Sequence, residues 1–265
     1  MYDSHPLVKR MKAEDYDKID YAKALKLYQE RFSDPNNFVF TFVGNIDPAT
    51  FEPMVEQYLG SLKKQKRNET WKDNGLNLTK KDNICHYEKQ METPKATCYM
   101  IYNGAMEYTL KNQLAMQCLN DVMDIVYTEK IREDEGGTYG ASAYATVDNG
   151  PDACRTLQVA FDTNEDKCDR LRQLAVEGLQ RLATDGPTAE EFDKTVKNLE
   201  KKIPEKKLST SYWVSSILNW DKYGVDSVAG YENAVKSLTP EAIKATAKEI
   251  LFCGNVSEII MKPQK

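Results

Sequence analysis

Lys130-Ile131-Arg132-Glu133-Asp134-Glu135-Gly136-Gly137-Thr138-Tyr139 marks where a long amphipathic run stops and a strand begins. Upstream, Leu110, Leu114, Cys118, Val122, Ile125 and Val126 keep helical spacing, which predicts a helix over 109–132. The run ends on an arginine and breaks at the Gly136-Gly137 pair. Downstream, small residues run from Tyr139 to Val147, and Asp148-Asn149-Gly150-Pro151 is a turn sequence leading into a second strand from Arg155 to Phe161. A guanidinium and a phenol are thereby displayed around one loop at the end of a sheet. Both groups donate hydrogen bonds at neutral pH, which suits gripping a peptide carbonyl or an oxyanion. Each also has a plain structural reading: an arginine at a helix end complements the dipole, and a tyrosine in a strand packs.

The segments around this stretch predict an α+β chain. Ala22, Leu25, Tyr28 and Phe32 share a helical face that stops at Ser33-Asp34-Pro35. Phe38-Val39-Phe40-Thr41-Phe42-Val43 reads as a strand buried on both faces. Asp47-Pro48 supplies an N-cap and a proline at the first position of a helix that ends near Gly60. Residues 61–83 are charged and poor in large apolar groups, as an interdomain linker would be. A strand follows at Ala96–Tyr102, ahead of the helix and hairpin already described. Asn164 is placed to cap the next helix, and Thr188-Ala189-Glu190-Glu191 is a capping box opening another. Further helices are predicted at Tyr212–Trp220, Val225–Ala234 and Thr239–Leu251, then a last strand at Ser257–Met261. The order β, α, β, β, several helices, β predicts helices packed on one face of a mostly antiparallel sheet. Helix 19–32 with strand 38–43 echoes helix 239–251 with strand 257–261. Residues 1–60 therefore read as the closing part of a truncated domain, 61–83 as a linker, and 84–265 as a complete domain of the same kind.

Composition narrows the function. The 265 residues carry a formal charge of −5 and are 41% hydrophobic, enough for a core and against a nucleic-acid binder. The lysine-rich stretches, such as Lys63-Lys64-Gln65-Lys66-Arg67, read as solvated surface. No apolar run is long enough to span a membrane. Six scattered cysteines without a C-x-x-C pair predict reduced thiols, several of them at apolar positions. The only histidines, His5 and His86, are too far apart in sequence to form a helical ligand pair, and His86 is expected on an edge strand.

Phe40-Thr41-Phe42-Val43-Gly44-Asn45-Ile46-Asp47 with Tyr58-Leu59-Gly60-Ser61-Leu62 resembles a stretch of the pitrilysin-type zinc metallopeptidases, the family of insulin-degrading enzyme. So do Ile131-Arg132-Glu133 with Gly137-Thr138-Tyr139, Gly186–Phe192, and Tyr212-Trp213 with Trp220, all in family order over nearly the whole chain. The resemblance implies the C-terminal half of a bacterial-type enzyme built from similar α+β domains in two halves around a peptide. It implies zinc bound by the missing N-terminal half on an inverted H-x-x-E-H helix, none bound by this segment, and peptide hydrolysis in the parent. Arg132 and Tyr139 match the arginine–tyrosine pair that the metal-free half points at the zinc site. By that resemblance Tyr139 donates to the tetrahedral intermediate and Arg132 holds the substrate backbone. Gly136 and Gly137 would let the loop approach the peptide closely. The expected partners are the N-terminal catalytic half and a peptide substrate, with no nucleic acid and no membrane span. The compartment stays open between a bacterial periplasm and cytoplasm. The alternative is a non-catalytic structural or peptide-binding subunit of the same fold.

Overall fold

The computed structural model describes residues 2, 5–63, 70, 72–134, 136, 138, 140–150, 152–252 and 254–264, with the backbone alone at 132–134. A five-stranded sheet carries the fold, in the order β1-β5-β2-β4-β3. Its strands are β1 (Asn83–Lys89), β2 (Ala96–Ala105), β3 (Ala141–Asn149), β4 (Ala153–Thr163) and β5 (Asn255–Pro263). β1 runs parallel to β5, and the other pairs are antiparallel, with Tyr99 opposite Ala160 and Ala143 opposite Val159. His86 thus lies on an edge strand, as its sequence setting predicts.

Alternation along β2 decides which face is covered. Ala96, Cys98, Met100 and Tyr102 are buried, whereas Tyr99 between them is exposed. Onto the buried face pack α4 (Leu110–Tyr127), α5 (Cys168–Thr184) and α9 (Pro240–Phe252), flanked by α6 (Ala189–Lys207), α7 (Thr210–Tyr223) and α8 (Tyr231–Lys236). Cys118, Leu119, Val122, Leu171, Leu179, Ile243 and Ala247 are fully buried between sheet and helices. Thr188 and Glu191 close the expected capping box of α6, with Glu191 N–H donating to Thr188 Oγ1 at 3.2 Å and Thr188 N–H to Glu191 at 2.8 Å. Arg155, 1% exposed, fastens β4 to the last turn of α9. Its guanidinium donates to the Ala105 carbonyl and, at 2.8 Å, to that of Glu249, and it ion-pairs with the Glu249 carboxylate at 3.1 Å. A Cβ on Gly104 would stand 2.7 Å from that guanidinium, so only glycine leaves it room.

The N-terminal segment is different. It holds α1 (Ala13–Tyr16), α2 (Tyr21–Phe32) and α3 (Pro48–Tyr58), the last N-capped by Asp47 with Pro48 in the first turn. Among the described residues before Ala96, only Asp34 and Thr79 are buried. Phe38–Val43 forms no strand, contrary to the sequence expectation, and Phe38, Val39, Phe40 and Phe42 are exposed. A two-sided apolar strand needs neighbours for its backbone groups and both faces, and no described strand lies beside it. Two further expectations change. Val225–Ala234 is helical only as α8, and Asn164 precedes a short 3-10 turn with no side-chain cap, the helix starting at Cys168. Cys85, Cys98, Cys118, Cys154 and Cys168 are free thiols, and Cys253 lies outside the described residues.

Candidate functional site

The loop between α4 and β3 is held at both ends. Thr109 caps α4, its hydroxyl accepting the Asn112 N–H at 3.2 Å. At the far end, Tyr127 is buried and donates its hydroxyl to the Ala175 carbonyl of α5 at 3.0 Å. The helix then widens into a π-helical turn, Thr128–Asp134, in which Ile131 is fully buried. Such widened turns insert one residue into the hydrogen-bond ladder and reorient the residues beyond it. Arg132 sits in this turn, directly after the Ile131 anchor, with its side chain outside the described part of the structure.

Beyond the turn, Gly136 adopts φ +56°, left-handed backbone that glycine enters without a Cβ clash. Thr138 tethers the loop to the sheet. Its hydroxyl lies 2.7 Å from the Asp162 carbonyl of β4 and accepts the Gly140 N–H at 3.2 Å. The Asp162 carboxylate in turn accepts the Thr97 hydroxyl of β2 at 2.6 Å. One strand turn later, Asp124 of α4 accepts the Ala143 N–H at 2.9 Å and fixes the start of β3 against the helix. Burial pushes the Asp124 carboxyl above the ordinary carboxylate range, with the Ala143 N–H opposing it and nearby Asp121 adding to it. Gly137 and Tyr139 lie outside the described residues.

Between this loop and the open face of the sheet lies a cleft of about 680 Å³. Gly136, Thr138 and Gly140 form one wall, and Tyr99, Ala160 and Thr97 line the sheet side. That space exceeds a single side chain and suits a short stretch of polypeptide. The structure therefore places Gly136 on the cleft wall and the Arg132 backbone in the turn that leads to it. Sequence reasoning missed Asp124, Thr138 and Tyr99. Nothing in local spacing marks Asp124, whose partner lies 19 positions on in another element.

A zinc ion does not fit the described residues. Among the described residues, no group of three or more His, Cys, Asp or Glu side chains could hold a metal. His5 Nδ1 accepts the Leu7 N–H at 3.3 Å, and its Nε2 lies 3.1 Å from the Asn74 carbonyl oxygen. His86 Nε2 lies 2.8 Å from Glu258, whose other carboxylate oxygen takes the Arg172 guanidinium at 2.6 Å. A cation thus already sits on the carboxylate that His86 contacts.

A family profile described as the peptidase M16 inactive domain matches residues 18–199. The chain belongs to this family. Its similarity to pitrilysin-type zinc peptidases extends to full-length relatives. The chain is 24% identical to the probable zinc protease PqqL of Escherichia coli over 87% of its own length and 25% of that protein. It is 24% identical to a PQQL-like zinc protease of Arabidopsis thaliana over 94% of its length and 29% of that protein. The chain thus spans under a third of the curated relatives it matches. Among solved structures, the periplasmic protease PqqL from Escherichia coli superposes with a TM-score of 0.80 at 20% identity, covering 97% of this chain and 28% of that one. An M16 inactive domain from Pseudomonas fluorescens gives 0.77 at 19% identity, covering 100% of this chain and 63% of that one. The M16 inactive domain accordingly has the α+β architecture expected, a sheet with helices on one face. Among its described residues no helix is long and apolar enough to cross a membrane.

Proposed function

We propose that this M16 inactive domain is the metal-free C-terminal half of a zinc metalloendopeptidase, forming a wall of the substrate chamber and lending Arg132 and Tyr139 to peptide-bond hydrolysis. The observation that carries the reading is the doubly anchored loop 132–140 beside a peptide-sized cleft. Arg132 would hold the substrate backbone through its planar fork of donors. Tyr139 would donate its hydroxyl to the oxygen on which negative charge develops, and Gly136 and Gly137 would let the chain pass close to the peptide. The zinc belongs to the N-terminal half, with which this segment would pair around a peptide. We further assign residues 1–60 to the end of one domain, 61–83 to a linker and 84–265 to a second domain. The exposed aromatic side chains of the first segment and the single core from Ala96 onward support that division. The description of the matched family as inactive favours a second reading, a structural or peptide-binding subunit that takes no part in chemistry.

Metal analysis with a peptide-hydrolysis assay tests the division of labour. The purified 265-residue chain should hold no stoichiometric zinc after dialysis and cleave no peptide, whereas the full-length parent should hold zinc and cleave. Tight zinc at one per chain, removed by a chelator with loss of cleavage, would overturn the assignment.

A further inference from the structure

The face of the sheet opposite the helices is open at one end and covered at the other. Strand register fixes which side chains lie on it. Tyr99 pairs with Ile259, Ile101 with Ser257 and Asn103 with Asn255, so by alternation all six share the open face. Tyr99 is exposed there, whereas Asn103 and Ser257 are only 2% and 1% exposed. The cover is residues 77–82, which lie between the N-terminal segment and β1. Asn255 Nδ2 donates to the Thr79 carbonyl at 3.1 Å, which places this backbone over the open face. The Val256 N–H donates to the Asp82 carboxylate at 2.9 Å. Thr79 itself is buried, with half-buried Leu78 before it and exposed Lys80 after it.

The attachment is slight. Among the described residues, those two hydrogen bonds are the ones that join 77–82 to the sheet, and both fall on the first two residues of β5. The chemistry underneath works against closure. Asn103 Nδ2 and Ser257 Oγ are buried with no hydrogen-bond partner among the described residues. A buried polar group left unpaired carries its full desolvation penalty, which is relieved when the cover lifts and water reaches the group. Two such groups beneath a cover held by two hydrogen bonds bring the closed and open forms close in free energy.

We propose that residues 77–82 form a strap that opens locally from the sheet, uncovering Ile101, Asn103 and Ser257 and so extending the open face beyond Tyr99 of the cleft. Asn255 and Asp82 are the latch, and the unpaired groups of Asn103 and Ser257 lower the cost of its release. The strap also has a handle. His5 Nε2 lies 3.1 Å from the Asn74 carbonyl oxygen, three residues before the strap, so a displacement of the N-terminal segment reaches it directly. The device needs only the sheet and its strap, and it goes beyond the proposed function without depending on it.

Native-state hydrogen exchange on the 265-residue chain tests the strap, with trypsin cleavage after the exposed Lys80 and Lys81 as a second readout. In the unmodified chain the Val256 amide should exchange through an opening that low urea hardly changes, while the Val159 amide of β4 follows the urea dependence of global unfolding. Equal urea slopes at Val256 and Val159 would overturn the proposal, and this arm needs no variant to fold. Asn255→Ala removes the donor to Thr79 and should speed both Val256 exchange and cleavage at 80–81 by about fivefold, the effect of one net hydrogen bond. Ser257→Ala removes an unpaired buried hydroxyl, favours closure, and should slow both by at least fivefold. The opposite signs separate a strap from general loosening, which would move both variants the same way. Unchanged or faster exchange in Ser257→Ala would show that the hydroxyl is satisfied under the closed strap and would overturn the proposal. So would an Asn255→Ala chain that melts normally and shows neither faster Val256 exchange nor faster cleavage.

Discussion

Replacing Thr138 by valine keeps the shape of the side chain and removes one hydroxyl. That hydroxyl reaches the Asp162 carbonyl at 2.7 Å and accepts the Gly140 N–H at 3.2 Å, so the tie from the loop to β4 and the bond within the loop are lost together. The site is partly exposed, and water can take up the freed carbonyl and N–H, so the net cost sits near the usual value for one hydrogen bond, about 1 kcal/mol. For a domain of this size that lowers Tm by about 2–4 °C. The local effect should be larger than the global one. The Gly140 amide should lose its exchange protection, and in the full-length parent kcat/KM should fall by about tenfold to a hundredfold, because a loop displaced by about 1 Å misplaces the groups it carries. Thr138→Ser retains the hydroxyl and should restore most of both. Unchanged Gly140 exchange and unchanged Tm in Thr138→Val would refute the tether, and normal kcat/KM with altered exchange would refute its link to activity.

Two predictions concern stability. Burial raises the Asp121 carboxyl above 3.8, against the pull of Lys202, and its Oδ2 has no hydrogen-bond partner. A raised folded value means the protonated form is favoured on folding, a gain that is full below pH 3.8 and lost as pH rises through the folded value. Asp121→Asn should therefore raise Tm at pH 7, by about 2–4 °C, with the difference shrinking below pH 3.8 in a thermal titration. A larger gain at acid pH would contradict this. Amides of residues 38–43 should exchange on the order of a hundredfold faster than those of β3 and β4 in a dilute monomer, since they lack strand partners. Equal protection by mass-resolved hydrogen exchange would show that the N-terminal segment is paired after all.

Local chemistry made much of this fold legible. The Asp47-Pro48 start, the Thr188–Glu191 box and the Asp148-Asn149-Gly150 turn all depend on residues within a few positions of one another, and each stands where its residues place it. Phe38–Val43 shows the limit: its apolar, β-branched character is real, but strand formation depends on neighbours that lie elsewhere. Strand order is similarly long-range. Nothing near Ser257 announces that β5 inserts between β1 and β2, pairing parallel to one and antiparallel to the other. At the candidate site, Arg132 and the glycines stand out through the break in periodicity. Thr138 and Asp124, which hold the loop, act through partners on other elements, and Asp162, 24 positions from Thr138, is invisible to any short-range pattern.

Tyr139→Phe in the full-length parent tests the central claim most directly. The ring stays and one hydroxyl goes, so packing and zinc content should be unaffected. A donor to the developing oxyanion is worth about 3–4 kcal/mol, so kcat should fall on the order of a hundredfold or more while KM changes little. Steady-state kinetics recorded beside a melting curve gives the answer. A large loss of kcat at unchanged Tm is the result expected here, and a kcat within about twofold of the unmodified enzyme would contradict the catalytic role of this half.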